Sequence, residues 1–142
     1  MHIVPLNDND VGDLSSFKKK EWGHADKEHY GEQLPDFSKN TYTFIAKEDD
    51  HIVGYITLTA ELGVALVNSI IVGMEFRRRG IAKQLLTKAE EEAKKLGVHK
   101  IVLETGVTWS ARYVYESMGY TLRCMLPNHY ANQDFVLLDK TL

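Results

Sequence analysis

The sequence has one cysteine, three prolines and no long apolar run. Cys124 is the only cysteine among 142 residues, so no internal disulfide can form, and we expect a reducing compartment, the cytoplasm. We expect the Cys124 thiol to pack as a small apolar group. No apolar run approaches the ~20 residues of a membrane helix, and the start, MHIVPLNDNDVG, has neither the basic nor the apolar region of a secretory signal.

An excess of positive charge is also missing. The chain has 17 Lys and Arg against 20 Asp and Glu, for a net charge of −3, which argues against nucleic acid as a partner. The six histidines are scattered without a recognisable ligand set, so we expect no metal site. With 44% hydrophobic residues, the chain is expected to form a single domain, residues 1–142.

Hydrophobic periodicity predicts an α/β protein with a mixed central sheet of six to seven strands and helices on both faces. The segment 64–72 is nearly all apolar and is expected to be a buried central strand. Residues 21–39 are polar and lack a clear period, which predicts a long loop with at most one short helix. The predicted strands are residues 2–5, 42–47, 52–60, 64–72, 98–103, 120–125 and 134–139, and the predicted helices are residues 11–20, 82–96 and 109–117.

The amino end of the predicted helix 82–96 carries an unusual charge pattern. Arg77, Arg78, Arg79 and Lys83 gather where the helix dipole is already positive and where acidic residues normally stabilise. A bound anion would resolve this conflict, because free backbone N–H groups and the four cations would attract the same charge. The alternative is an exposed basic cluster that only aids solubility.

The residues around this cluster resemble the GNAT superfamily of acetyl-CoA-dependent N-acetyltransferases. RRRGIA matches the family motif [Q/R]-x-x-G-x-[G/A], with SIIVGMEF before it and KQLL after it. Downstream, YESMGY is similar to the family's Y-E-x-x-G-F box, and VLETG resembles ribosomal-protein N-terminal acetyltransferases. The resemblance covers residues 52–120 well and the remainder loosely.

This resemblance implies acetyl-CoA as cosubstrate. The loop that carries RRRGIA would hold its pyrophosphate, and the strand before it, residues 70–72, would run beside the pantetheine arm. Two positions depart from the family pattern, since Met74 replaces a frequent proline and Thr108 replaces an asparagine that contacts the CoA arm. The implied CoA-binding residues are Ile70, Ile71, Val72, Arg77, Arg78, Arg79, Gly80, Ile81, Ala82, Lys83 and Thr108.

Acetyl transfer to an amine needs a base for the ammonium proton and an acid for the leaving thiolate. The resemblance implies Tyr115 as the acid, with Tyr113 as a weaker competitor. Glu104, at the end of the strand HKIVLE, is the expected base. Glu61 and His129 are the alternatives for that role.

The sequence therefore predicts an N-acetyltransferase that uses direct transfer in a ternary complex. The acceptor would be a small amine or a peptide amino group, and the resemblance implies that residues 21–39 and 127–133 frame its pocket. We expect no nucleic-acid or membrane partner, and a monomer or homodimer. The rival interpretation is a non-catalytic acyl-CoA-binding sensor that keeps the arginines but has no use for Tyr115.

Overall fold

The computed structural model describes all residues, Met1–Leu142. The chain divides into two compact units, Met1–Asp36 and Phe37–Leu142. The first unit contains a short 3₁₀ turn, Asp8–Asp10, followed by helix α1, Val11–Tyr30. Neither α1 nor any other helix combines the length and the apolar character that crossing a bilayer requires.

Two sequence predictions for the first unit were wrong. Residues 2–5 form no strand, and the helix predicted for residues 11–20 continues to Tyr30 through a segment predicted as a loop. No residue of α1 is buried. The second half of α1, EWGHADKEHY, mixes a few strong helix formers with glycine, aspartate and two histidines, which favour helices less. It also carries no apolar period that could have revealed the helix.

The second unit contains one six-stranded mixed sheet in the order β1-β2-β3-β4-β6-β5. Strands β3 and β4 pair in parallel, and every other neighbouring pair is antiparallel. The predicted mixed α/β fold is confirmed. The elements are β1 Lys39–Glu48, β2 His51–Glu61, β3 Val64–Val72, α2 Ile81–Lys95, β4 Lys100–Gly106, α3 Ala111–Ser117, β5 Thr121–Leu126 and β6 Phe135–Thr141.

Tight turns connect the first three strands. Asp49 and Asp50, between β1 and β2, have φ angles of 47° and 64°. Leu62 and Gly63, between β2 and β3, have φ angles of 52° and 78°. Two consecutive left-handed residues are typical of the type I′ hairpin turn, whose twist matches that of the strands it joins. These turns fix the register of the β1–β2–β3 meander.

The hydrophobic core of the second unit lies between the sheet and its helices. The apolar periodicity that predicted α2 places Leu85, Leu86, Ala89 and Ala93 in this core, whereas Leu96, at the end of the same predicted stripe, is exposed. Helix α3 contributes Tyr115 to the same core. The fully buried larger side chains are Ile56, Leu58, Leu86, Ile101, Leu103, Val136 and Leu138.

Two expectations about burial were wrong. Strand β3 is central in the sheet, but only Ala65 among its residues is buried, while Leu66 and Ile71 are exposed. Successive strand residues point to opposite faces, so Leu66 points away from the core that holds Ala65. Cys124 is exposed, because it lies on the edge strand β5 beside a register irregularity between Leu122 and Cys124.

Three ion pairs connect β6 to other elements. Asp139 is buried and bonds to Arg123 at 2.7 Å and to Lys100 at 3.1 Å. Lys140 bonds to Glu90 of α2 at 2.7 Å. The pairs with Lys100 and Glu90 attach the last strand along the chain to elements that come before α3.

The Glu90–Lys140 pair lies beside a buried tyrosine. The hydroxyl of Tyr120 and the second carboxylate oxygen of Glu90 are buried without a hydrogen-bond partner. Burial, together with the negative charge of Glu90, raises the pKa of Tyr120 well above its ordinary value. The phenol therefore stays neutral, and the Lys140 ammonium lies 5.7 Å from the centre of its ring.

Candidate active site

Strands β3 and β4 separate partway along their length. They pair only where Val64–Leu66 meets Lys100–Val102. Beyond that point β3 continues along β2 and β4 continues along β6. The edge of β3 that faces away from β2 therefore has no strand partner over residues 67–72. Apart from the Val72 carbonyl, which accepts from Arg77 Nε, the backbone groups of this edge are available to a ligand.

A bulge in β3 accompanies this separation. Thr57 is opposite Ser69 and Leu58 is opposite Val67, so Asn68 is the extra residue. Bulges increase the local twist and redirect a strand. The Asn68 side-chain oxygen accepts a hydrogen bond from the Thr59 hydroxyl at 2.8 Å, which holds the bulge against β2.

The separated strands enclose a cavity of about 420 Å³. Its walls come from β3, β4, the segment leading into α3, α3 itself and the residues before and at the start of β6. The lining residues are Leu66, Val67, Asn68, Ser69, Ile70, Leu103, Glu104, Thr105, Trp109, Ala111, Tyr115, Tyr130 and Phe135. The set contains one carboxylate and no lysine or arginine.

Tyr115 lies in this cavity and is only 6% exposed. Its ring centre is 6.1 Å from that of Tyr120. Burial raises the pKa of the Tyr115 phenol, so the hydroxyl stays protonated at neutral pH and can donate a proton. Tyr113 is 68% exposed and does not line the cavity.

Glu104 also lies in the cavity. Its neighbours Leu103 and Thr105 point into the core, so strand alternation turns Glu104 to the other face. Glu104 Oε2 is 3.3 Å from His129 Nε2. The structure thus places two of the three candidate bases together.

The third candidate base is elsewhere. Glu61 is at the end of β2, where its carboxylate pairs with the Lys39 ammonium at 3.7 Å. It lines a second hollow of about 360 Å³, which shares Leu66 and Asn68 with the first cavity. Glu61 is therefore near the site but does not line the cavity that contains Tyr115.

Strand β3 runs out of the cavity into the arginine segment, which we call the phosphate loop, residues 73–83. Gly80 has a φ of +77° and a Cβ placed there would meet nothing within 4 Å. Helix α2 has no side-chain cap, and its first helical bond runs from the Gln84 N–H to the Gly80 carbonyl. The N–H groups of Ile81, Ala82 and Lys83 therefore lack a helical acceptor.

The four predicted cations have different partners. Arg77 Nε donates to the Val72 carbonyl at 3.2 Å. Arg79 pairs with Glu48 at 3.4 Å, and its guanidinium lies 5.2 Å from the Phe76 ring centre. Arg78 and Lys83 make no ion pair or side-chain hydrogen bond. Two cations thus shape the loop and two remain available to an anion.

The remaining predicted CoA contacts lie on β3 and beyond β4. Ile70 lines the cavity, whereas Ile71 is exposed and Val72 ends the strand. Thr108 lies in an exposed turn after β4 and does not line the cavity. Its contact with the CoA arm stays a prediction.

The sequence patterns indicated neither the bulge in β3 nor the packed aromatic side chains of the cavity, Trp109, Tyr130 and Phe135. Phe135 lies opposite Gly106 in the β4–β6 pairing, and its ring packs 5.3 Å from the ring centres of both Trp109 and Tyr130. A Cβ on Gly106 would lie 2.7 Å from the Trp109 ring, so glycine is required for this packing. The signal for the bulge was Asn68, a single amide within the apolar run VALVNSIIV.

No group of three His, Cys, Asp or Glu side chains is placed to share a metal ion. The reactive side chains of the cavity are thus a protonated phenol, a carboxylate and, through that carboxylate, an imidazole. This set can move protons to and from a reacting amine and a leaving group.

Comparison with known proteins identifies relatives of the chain. The model of the acetyltransferase (GNAT) family matches residues 11–120. An uncharacterized N-acetyltransferase of Methanocaldococcus jannaschii is 34% identical over 100 residues, a stretch that covers 68% of this chain and 64% of the relative. The match thus spans slightly less than two thirds of the relative's length.

Solved structures share the fold. One is a GNAT family acetyltransferase from Elizabethkingia anophelis with acetyl-CoA bound, at a TM-score of 0.67 and 24% identity, over 72% of this chain and 76% of that one. Another is the ribosomal-protein-S18-alanine N-acetyltransferase from Escherichia coli, at a TM-score of 0.67 and 17% identity, over 99% and 92% of the two chains. Identities this low support the fold alone, and the ribosomal-protein enzyme is one of many structural neighbours.

Proposed function

The chain belongs to the acetyltransferase (GNAT) family, and on this premise we propose that it transfers the acetyl group of acetyl-CoA to a primary amine. The transfer is direct, in a ternary complex of protein, acetyl-CoA and acceptor. The observation that carries the proposal is the cavity between β3 and β4, which contains Tyr115 and Glu104 and from which β3 runs into the phosphate loop.

The proposed acetyl-CoA site follows β3. The unpaired edge of residues 67–72 offers backbone groups to the amides of the pantetheine arm, as an added strand would. Gly80 and the free N–H groups of Ile81 and Ala82 receive the pyrophosphate, with Arg78 and Lys83 adding positive charge. GNAT relatives bind acetyl-CoA, as the Elizabethkingia structure does.

The proposed chemistry uses the two ionisable groups of the cavity. Glu104 removes a proton from the acceptor ammonium, directly or through water, and the neutral amine attacks the thioester carbonyl carbon. Backbone N–H groups on the open edge of β3 stabilise the oxyanion. The C–S bond then breaks, and Tyr115 protonates the sulfur of the leaving CoA.

The lining of the cavity limits the acceptor. With Glu104 as its one charged residue and no lysine or arginine, the cavity has no partner for an anionic acceptor and favours a cationic one. A small amine and a peptide amino terminus both satisfy this condition. The likeness of VLETG to ribosomal-protein acetyltransferases favours the peptide, and either a monomer or a homodimer is compatible with the reaction.

The test is an assay of free CoA release against a panel of amines and short peptides, with products identified by mass spectrometry. Tyr115→Phe should lower kcat about 10²-fold or more, as loss of a general acid does, while the Kd for acetyl-CoA changes little. Tyr113→Phe removes the same hydroxyl from an exposed position and should leave kcat unchanged. Binding of acetyl-CoA without acetylation of any acceptor would favour a non-catalytic sensor.

A further inference from the structure

His129 contacts the proposed base from outside the cavity. Its Nε2 is 3.3 Å from Glu104 Oε2, and its side chain is 33% exposed, compared with 29% for Glu104. His129 is not among the residues that line the cavity. The imidazole therefore touches Glu104 on one side and solvent on another.

The loop that carries His129 is held in a constrained conformation. The His129 N–H donates to the Gln133 carbonyl at 2.8 Å, and the Asn128 N–H donates to Asp134 Oδ1 at 2.9 Å. Asn128 and Ala131 have φ angles of 49° and 52°. Asparagine tolerates this left-handed conformation, but it is unfavourable for alanine. Such conformations persist where the surrounding structure imposes them, and they are concentrated at functional sites.

Aromatic rings fix the orientation of the imidazole. The Tyr130 ring centre is 4.3 Å from that of His129, and the Phe135 ring centre is 5.6 Å away. Both aromatic residues also line the cavity. Tyr130 and Phe135 thus line the cavity proposed for the acceptor amine and also hold His129 against Glu104.

We propose that His129 carries the ammonium proton from Glu104 to solvent, so that Glu104 and His129 act as a two-step proton relay. This inference rests on the proposed acetyltransferase function. The acceptor ammonium loses one proton to the Glu104 carboxylate, which passes it to His129 Nε2, and His129 releases it to water. The relay exports the one proton that converting an ammonium and a thioester into an amide and a thiol sets free.

The relay takes only this first proton. After the amine has attacked, its nitrogen loses a second proton to the Tyr115 oxygen. This proton replaces the one that Tyr115 has given to the CoA sulfur, so Tyr115 is regenerated within the cycle. The titratable groups around the pair are Tyr115 on α3, and Tyr130 and Asp134 beside the loop. Asp134 accepts a hydrogen bond from the Asn128 N–H, whereas Glu104 is the carboxylate that contacts the imidazole.

The test compares His129→Gln with His129→Ala. Glutamine can still donate an N–H to Glu104 but cannot carry a proton. His129→Gln therefore distinguishes proton transfer by His129 from mere positioning of the Glu104 carboxylate. We expect both variants to lose about tenfold or more in kcat at neutral pH, with little change in the Kd for acetyl-CoA, which also reports that the fold is intact. Added imidazole should restore much of the kcat of His129→Ala.

His51→Ala is the matched control, because His51 is exposed at the start of β2 and should affect neither kcat nor the response to imidazole. If His129→Gln keeps the wild-type kcat at every pH, or if imidazole does not help His129→Ala, the relay is overturned while the proposed function stands. If the wild-type protein acetylates no amine, the proposed function fails and the relay fails with it.

Discussion

Gly80 and Gly97 flank opposite ends of α2 with almost the same φ angle, +77° and +78°. A Cβ at either position would meet no atom within 4 Å. The two glycines differ in their surroundings, because Gly80 adjoins the phosphate loop and Gly97 precedes β4. They form a matched pair for testing the proposed pyrophosphate site.

We predict that Gly80→Ala and Gly97→Ala cost a similar amount of stability, about 1–2 kcal/mol, since alanine disfavours the left-handed region. Only Gly80→Ala should weaken acetyl-CoA binding, because its methyl group occupies the space where the backbone approaches the pyrophosphate. The expected increase in Kd is about tenfold, or about 1.4 kcal/mol. Calorimetric titration of both variants with CoA measures this, and equal affinities would refute the site.

Glu104→Gln should lower kcat/KM at neutral pH far more than at about pH 9, because the amide keeps the shape of the side chain and loses its basicity. An α-amine, with a pKa near ~8, is mostly neutral at the higher pH and needs less help from a base. A lysine side chain, near ~10.4, would recover less. The extent of recovery therefore also reports the class of acceptor.

Glu61→Gln is the control for this pH profile, since Glu61 pairs with Lys39 outside the main cavity. It should follow the wild-type profile throughout. A Glu104→Gln profile parallel to the wild type would remove Glu104 from the mechanism, and a changed Glu61→Gln profile would make Glu61 the base.

Lys140→Met should destabilise the protein by about 1–4 kcal/mol, because it leaves the largely buried Glu90 carboxylate without its cation. The double variant with Glu90→Leu should regain much of this loss, since an apolar pair can replace a buried ion pair with little penalty. Urea unfolding of the two single variants and the double variant gives the coupling energy. If the stability loss of the double variant equals the sum of the losses of the single variants, the Glu90–Lys140 ion pair contributes no interaction energy.

Acid stability should depend on Asp139. Burial alone would raise the pKa of this carboxyl, but the hydrogen bonds and charges of Arg123 and Lys100 outweigh that effect and lower the pKa below its ordinary value. A lowered pKa means that Asp139 stabilises the folded state above the unfolded-state pKa, near ~3.9, and that this stabilisation is lost as the pH falls through the folded-state pKa.

Asp139→Asn should therefore be less stable than the wild type at pH 7, and the difference should shrink on acidification below about pH 4. Unfolding by urea at several pH values measures both curves. Glu91→Gln, at an exposed position in the middle of α2, is the control and should show no such convergence. A constant difference between Asp139→Asn and the wild type at every pH would contradict the assignment.

The parts of the structure that could be predicted well from the sequence depend on local patterns. Apolar periodicity predicted α2, and the short gap between the predicted strands 42–47 and 52–60 indicated the hairpin that joins β1 to β2. Glu104 and Tyr115 could be proposed because each belongs to a short motif beside an apolar strand or helix. Such features need only a few consecutive residues.

The parts of the structure that could not be predicted from the sequence depend on strand partners far apart in the chain. Phe135 reaches the cavity because β6 lies next to β4, which pairs Phe135 with Gly106, and nothing local to either residue indicates this. The contact between His129 and Glu104 has the same origin. The second half of α1 was missed for a different reason, since a helix without buried residues needs no apolar period.

The position of β6 has a consequence for the order of folding. It is the last strand along the chain, but it lies inside the sheet, between β4 and β5. During synthesis, β4 and β5 must therefore wait without their common neighbour until residues 135–141 have left the ribosome. A nascent chain at that stage exposes two unpaired strand edges, which invite association with other chains. We expect this intermediate, rather than the finished protein, to be the species that needs a chaperone.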